Sequence, residues 1–302
     1  MKYEEETSYS GEKHKNKVEQ FKNKINYWID YGINVNIPSN DGTTPLLTLC
    51  RLTNPPLDII SKLIAKGEDV NEERKDYTNT PLSKLYKVLP TNNDTALYYA
   101  VTRSKNIKLI NLLLDSGANV NTFSRNDLLS ILDAAMKYEN DVKIIDMILK
   151  SGISDYYKMR GFLRCISNNY SREIFDVFIN SGININEKFT GYIDSKWMVV
   201  EYTPLMMACH SGNMEYFKLL IDLGADMYVK DDKGRSLLSI ACSSVSPDTS
   251  FIKYLLSLGF DVNEQDNDGN TIINDTDKQI DAAVYKLYNL TNAEIKVIEE
   301  QV

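Results

Sequence analysis

The phrase Gly117-Ala118-Asn119-Val120-Asn121 decides the fold of this 302-residue chain, because close copies of it recur along the sequence. The other copies begin at Gly32, Gly67, Gly182, Gly224, Gly259 and, in degenerate form, Gly152. Successive glycines lie 35, 50, 35, 30, 42 and 35 residues apart, which clusters around the length of one stacked supersecondary unit. A repeat array of this kind buries its core between neighbouring units and has no closed pocket of its own. The pattern therefore favours a protein-binding function over catalysis.

The composition is that of a folded protein and argues against several function classes. Hydrophobic residues make up 43% of the chain and charged residues 25%, as in ordinary soluble domains. The net charge of -8 and the pI near 5.0 argue against a nucleic-acid partner, which would repel the chain. No apolar run approaches the ~20 residues that a membrane helix requires. We therefore expect no membrane span and a cytosolic location.

The clearest repeat unit runs from Tyr202 to Tyr228 and contains two predicted helices. Thr203 can cap the first helix, and Pro204 suits its first turn because no amide donor is needed there. Residues 214–223 form the second helix, and Gly224 ends it in a left-handed conformation. The count from cap to glycine is similar in four units: 23 residues from Thr44, 22 from Thr95, 21 from Thr203 and 23 from Ser236.

These phrases resemble the ankyrin repeat. The resemblance rests on Thr203-Pro204-Leu205, on Ala208-Cys209 with the Gly-Asn that follows, and on the Leu-Leu-Ile-x-x-Gly-Ala-Asp ending at Asp226. It covers roughly residues 17–290 and is strong at 94–121 and 203–263. In the weaker middle, 124–186, the segment Arg160-Gly161-Phe162-Leu163 stands where Thr-Pro-Leu is expected. The resemblance implies an all-α ankyrin-repeat solenoid of helix pairs with protruding loops or β-fingers.

The expected domain organisation follows from this match. Residues 1–14 are expected to be a flexible N-terminus, and residues 15–290 an array of seven to eight repeats. The array is irregular at 76–94, 124–186 and 187–202. Residues 291–302 are expected to form a C-terminal helix or to mark a truncation point.

The irregular spacing and the wording Thr95-Ala96-Leu97-Tyr98-Tyr99-Ala100-Val101 are similar to the ankyrin proteins of poxviruses. That resemblance implies a non-enzymatic viral adaptor in the host cytoplasm. Such an adaptor would bind a host protein of innate immune, inflammatory or cell-death signalling. Two alternatives stay open: the substrate-binding half of an F-box ubiquitin-ligase adaptor, and a non-viral ankyrin scaffold. Residues 275–302 show no F-box-like segment, so the F-box alternative requires a longer natural chain that binds ubiquitin-ligase subunits.

One insertion follows Gly182, where 21 residues precede the next cap instead of the usual 12 or 13. We predict that it forms a β-finger that presents aromatic and apolar residues to a partner, because such residues are favoured at interface hot spots. An alternative is that the segment folds back and completes the core of the weak middle units. The candidate partner-binding residues are Phe189, Tyr192, Trp197, Met198 and Val199.

The other insertion, between Thr80 and Thr95, is interpreted as an elongated helix and loop. Lys84 and Tyr86 are further candidate contact residues within it. Tyr98 is also a candidate; it occupies the position of the histidine in the repeat consensus, and the sequence leaves open whether it packs or faces a partner.

No catalytic, cofactor or metal site is predicted. Cys50, Cys209 and Cys242 each lie six residues after a Thr or Ser that opens a predicted helix. That position needs a small apolar side chain, so we expect these and Cys165 to be buried free thiols. His14 and His210 are the only histidines, and neither lies in a motif for acid-base or metal chemistry.

Overall fold

A computed structural model describes residues 23–39, 43–73, 94–124, 129–138, 141–192, 199–244 and 248–272. The chain divides into two compact units, residues 1–154 and 155–302. Helices dominate both units, as the sequence predicts. Among the described residues, no helix combines the length and apolar character needed to cross a membrane.

The first unit contains helix α1 at residues 23–30 and three helix pairs within its described ranges. The pairs are α2 (Pro45–Cys50) with α3 (Leu57–Ala65), α4 (Ala96–Tyr99) with α5 (Ile107–Asp115), and α6 (Ile131–Tyr138) with α7 (Val142–Lys150). A short hairpin, β1 (Phe123–Ser124) with β2 (Leu129–Ser130), precedes α6. The first helices of successive pairs pack on one another, α2 on α4 and α4 on α6.

The second unit also contains three helix pairs in its described part. They are α8 (Asp155–Ser167) with α9 (Arg172–Asn180), α10 (Pro204–His210) with α11 (Met214–Asp222), and α12 (Leu237–Cys242) with α13 (Thr249–Ser257). A longer hairpin, β3 (Phe189–Tyr192) with β4 (Val199–Tyr202), leads into α10. Helix α10 packs between α8 and α12.

The predicted caps are present at four of the first helices. The hydroxyl oxygens of Thr44, Thr95, Thr203 and Ser236 each accept a hydrogen bond from the backbone N–H three residues ahead. A cap of this kind stabilises a helix by about 1 kcal/mol. Proline follows the cap at Pro45 and Pro204, where the ring removes an amide that has no helical partner.

The motif glycines adopt the left-handed conformation predicted for Gly224. Their φ angles lie between 75° and 92° in all seven copies. An L-residue with a side chain is disfavoured at such φ values, so glycine is required where each second helix turns into its loop.

The helix α8 corrects one sequence interpretation. The segment Arg160–Leu163 does not open a helix as Thr-Pro-Leu would, because α8 begins five residues earlier, at Asp155. Gly161 is buried inside the helix, and α8 packs against α10. The core that follows is aromatic: the ring of Phe162 lies 5.2 Å from that of Phe175, which stacks on Tyr216 at 4.7 Å.

The first helix of the second described pair ends in a local change of helix type. After α4 the chain continues as a π-helix over Ala100–Ser104, and Lys105 follows it at a φ of 54°. Single π turns of this kind occur at the ends of α-helices and within them.

Asparagine side chains connect successive loops within each unit. The last residue of the Gly-x-x-Val-Asn phrase reaches forward to the next phrase, where its side-chain NH2 donates to the glycine carbonyl. Its side-chain oxygen accepts the N–H two residues after that glycine. This contact, which we call the asparagine clamp, is made by Asn36 to Gly67, Asn71 to Gly117, Asn121 to Gly152 and Asn186 to Gly224.

Candidate partner-binding surface

The predicted β-finger is present in the second unit. Strands β3 and β4 pair antiparallel, with Phe189 opposite Tyr202 and Tyr192 opposite Val199. The ladder contains four residue pairs. Trp197 and Met198 belong to residues 193–198, which lie outside the described residues, so their partner-binding role stays a prediction.

Phe189 lies at the base of this finger and is only 4% exposed. Its ring is 5.1 Å from that of Tyr156 at the start of α8. A Cβ at Gly191 would lie 2.8 Å from Phe189 Cζ and 3.0 Å from Tyr156 Oη, so a side chain at this position would require one of the two rings to move. The structure therefore corrects the prediction for Phe189: its ring fills space between the finger and α8 and presents no free surface.

Tyr192 and Val199 are the last paired residues before the tip. Their position is established by the strand ladder, and their role in partner binding stays a prediction. Lys84 and Tyr86 lie in 74–93, outside the described residues, and their role is likewise a prediction.

Tyr98 is a packing residue. It is 6% exposed, and its ring meets that of Tyr99 edge to face at 6.3 Å. The neighbouring Tyr99 hydroxyl donates to Asp94 Oδ2 at 3.2 Å, and the Arg51 guanidinium lies over the Tyr99 ring at 5.1 Å. The question that the sequence leaves open is settled by burial, and Tyr98 does not offer a contact surface.

Exposed apolar residues in the first unit cluster on α1 and the loop after it. The sequence reasoning did not identify this patch, which consists of Tyr27, Trp28, Tyr31, Ile33 and Ile37, all about half exposed or more. Trp28, Ile33 and Ile37 also line an apolar groove of about 490 Å³ beside Pro45 and Leu49. The sequence does contain a sign of this patch: residues 25–33 include more large apolar side chains than one buried helix face can accommodate.

A second exposed patch lies in the loops of the second unit. Tyr228 is 81% exposed, and Leu223 and Leu258, which directly follow α11 and α13, are 47% and 39% exposed. Tyr228 and Leu258 line a cleft of about 430 Å³ together with Met227 and Phe260. Tyr228 occupies the position at which the asparagine of a clamp stands in other repeats, so this patch coincides with a break in the repeat pattern.

The cysteines are structural, as predicted. All four are free and buried, and burial raises the pKa of the Cys50, Cys165 and Cys242 thiols from 9.0 to about 12. Thiols of this kind are poor nucleophiles, because the thiolate is the reactive form. Within the described ranges, no cluster of His, Cys, Asp and Glu side chains has the arrangement of a metal site.

Capped helix pairs, left-handed glycines and clamped loops together define a repeat protein whose free surfaces serve contact with other macromolecules. The family model described as "Ankyrin repeats (3 copies)" matches residues 17–123 and 162–272, more than half of the chain. The chain therefore belongs to the ankyrin-repeat family.

Similarity to curated proteins lies among poxviruses. The chain is 27% identical over 208 residues to "Putative ankyrin repeat protein FPV031" of fowlpox virus, which covers 65% of this chain and 56% of that protein. It is 31% identical over 118 residues to "Inhibitor of Apoptosis OPG037" of monkeypox virus, which covers 38% of this chain and 24% of that protein. The matches thus span about half of the first relative and a quarter of the second.

A solved structure confirms the fold. The human ASB11 ankyrin repeat domain matches with a TM-score of 0.53 and 18% identity, over 81% of this chain and 98% of that domain. At this identity the similarity concerns the fold alone. The predicted ankyrin fold and the resemblance to poxvirus ankyrin proteins are both confirmed.

Proposed function

We propose that this chain is a non-enzymatic poxvirus adaptor that binds a host protein and counteracts innate immune, inflammatory or apoptotic signalling in the host cytoplasm. The observation that carries the proposal is the ankyrin fold combined with relatives found in poxviruses. One of these relatives bears the name "Inhibitor of Apoptosis", which favours a target in cell-death signalling.

The described surface supports an adaptor role. Large aromatic side chains such as Tyr31 and Tyr228 are 78% and 81% exposed, although burial would shelter them from water. Exposed aromatic groups of this kind are typical of interface hot spots. The β-finger is a second candidate surface, because the sequence between its paired strands, residues 193–198, contains Trp197 and Met198.

The adaptor proposal is tested by expressing the tagged chain in host cells and challenging them with an apoptosis inducer. We expect lower caspase activation than in cells that express an unrelated ankyrin array. Proteins bound to the chain are recovered in parallel, and microscopy tests the cytoplasmic location. Equal caspase activation in both cell populations would contradict the apoptotic target, and the absence of any specifically bound host protein would contradict the adaptor role.

The finger is tested with the double variant Trp197→Ala/Met198→Ala. If these residues are hot spots, affinity for the recovered partner falls by ~2 kcal/mol or more, about 30-fold in Kd. Leu52→Ala, which changes an exposed apolar residue outside both exposed patches, serves as the matched control and should bind normally. Unchanged affinity in a folded double variant would remove the finger from the binding surface.

A further inference from the structure

The four asparagine clamps show that four of the motif loops each act as a receptor for a primary carboxamide. In the first unit, Asn71 Nδ2 donates to the Gly117 carbonyl at 3.0 Å, and its Oδ1 accepts the Asn119 N–H at 2.7 Å. In the second unit, Asn186 makes the same pair of contacts with Gly224 and Asp226, at 3.4 and 2.9 Å. The receptor thus consists of one backbone carbonyl and one backbone N–H, two residues apart.

The Gly259 loop has the same local geometry. Gly259 has a φ of 92°, and the Asp261 carboxylate accepts the Asn263 N–H at 2.8 Å. The equivalent turn in the Gly117 loop joins Asn119 to Asn121 at 2.9 Å. The Gly259 carbonyl and the Asp261 N–H therefore form the same donor and acceptor pair.

No asparagine reaches this pair, because Tyr228 stands at the clamp position. Among the described residues, the Tyr228 hydroxyl bonds to neither group. The Tyr228 side chain is 81% exposed, and neither the Gly259 carbonyl nor the Asp261 N–H has a hydrogen-bond partner among the described residues. Within the part of the chain that the structure describes, nothing occupies the receptor at Gly259.

The surroundings of the open receptor offer room and apolar contact. The cleft of about 430 Å³ beside it is lined by Met227, Tyr228, Leu258 and Phe260. Its charged residues include Lys230 and Glu264, which pair with each other at 2.6 Å. A neutral ligand with an apolar neighbour matches this environment.

We propose that the Gly259 loop binds the side-chain carboxamide of an Asn or Gln residue in a partner polypeptide, with an adjacent apolar side chain in the cleft. A trans peptide group cannot replace the carboxamide, because its N–H and C=O point in opposite directions. A carboxylate cannot replace it either, because an ionised Asp or Glu has no proton to donate to the Gly259 carbonyl. A primary amide supplies both the donor and the acceptor that this pair requires.

The test uses the 15N-labelled chain and three small probes: the N-acetyl, N′-methylamide derivatives of asparagine, aspartate and leucine. All three share the same backbone amides, so they differ only in the side chain. We expect the asparagine probe to shift the Asp261 N–H resonance in a saturable manner, and the other two to leave it unchanged. No response to asparagine, or an equal response to leucine, would overturn the proposal.

Variants at Tyr228 separate the site from the rest of the surface. In Tyr228→Asn, the new side chain should form the two clamp hydrogen bonds to the Gly259 carbonyl and the Asp261 N–H. The asparagine probe must then compete with it, so probe binding should weaken by about tenfold. Tyr228→Ala, the matched control, should keep probe binding. Undiminished binding to Tyr228→Asn would overturn the proposal.

The inference names ligand chemistry for the proposed adaptor and rests on that function only in assuming a protein partner. The carboxamide proposal and the proposed adaptor function can be refuted independently. Trp197→Ala/Met198→Ala should leave the asparagine probe bound, and loss of the adaptor function in cells would leave the response of Asp261 intact.

Discussion

The asparagine clamp makes a specific prediction about the stability of the first unit. Replacing Asn71 by Ala removes the hydrogen bonds to the Gly117 carbonyl and from the Asn119 N–H, at 3.0 and 2.7 Å. Asn71 lies 46 residues before Gly117, so the clamp joins parts of the chain that are distant in sequence. No other side chain of this phrase makes both contacts.

The size of the effect follows from the number and exposure of these bonds. A typical hydrogen bond contributes about 0.5–1.5 kcal/mol net. Both bonds of Asn71 are exposed to solvent, and water can replace each one, which favours the lower half of that range. We therefore expect Asn71→Ala to lower the free energy of unfolding by about 1–2 kcal/mol.

Urea denaturation followed by circular dichroism measures this difference. Asn263→Ala is the matched control, because Asn263 ends the Gly259 phrase but its side chain makes no hydrogen bond within the described residues. The control should change the free energy of unfolding by less than about 0.5 kcal/mol, as for most surface substitutions. Faster hydrogen exchange at Asn119 should accompany the loss in Asn71→Ala. If both variants unfold at the same urea concentration, the clamp does not stabilise the fold.

Three further predictions concern stability. Gly224→Ala should cost about 1 kcal/mol from its φ of 89° alone, since no atom lies near the added Cβ. Gly234→Ala should cost more, because its Cβ would lie 2.2 Å from Asn267 Oδ1; equal midpoints in urea would contradict this order. Thr203→Ala removes a cap and should cost about 1 kcal/mol by the same assay, a loss that Thr203→Ser should not show. Because burial raises the pKa of Cys50 from 9.0 to about 12, its contribution to stability is present below pH 9.0 and is lost as the pH rises toward 12, since the unfolded chain ionises first. Urea midpoints across that range check this, with Cys50→Ala reducing the loss.

The helix starts and ends were predictable because they depend on local chemistry. A Thr-Pro pair such as Thr203-Pro204 favours a helix start through its own side chains. Glycine, as at Gly224, readily adopts a positive φ that other residues avoid. These rules require no knowledge of the rest of the chain. The structure accordingly confirms the cap at Thr203 and the left-handed glycine at 224.

The start of α8 and the burial of Phe189 were not predictable, because both depend on tertiary contacts. Helix α8 runs through Gly161, a weak helix former, because packing against α10 compensates for its propensity. Phe189 has the residue type of a hot spot, but Tyr156, 33 positions earlier, covers its ring. Residue type alone does not distinguish a buried aromatic from an exposed one.

The open loop at Gly259 was also not predictable from the sequence, because the clamp joins residues that are distant in the chain. The recurrence of asparagine at the end of the motif is visible in the sequence, but the function of that asparagine is visible only when its partner, 31 to 46 residues later, is known. Tyr228 stands at the position of a clamp asparagine and is exposed. The significance of this substitution follows only from the contacts that asparagine makes in the other loops.

Binding in a repeat protein is expected where the repeat rule is broken, because intact repeats use their polar groups on each other. Asn186 satisfies the Gly224 carbonyl and the Asp226 N–H from within the chain, so that loop has no free carboxamide receptor. At Gly259 the corresponding groups have no partner among the described residues, and the side chain that replaces asparagine is an exposed aromatic. One substitution therefore both opens the backbone groups and supplies apolar surface beside them. An adaptor can gain a binding site in this way without losing a helix pair, because the capped helices and left-handed glycines that specify the fold are unchanged.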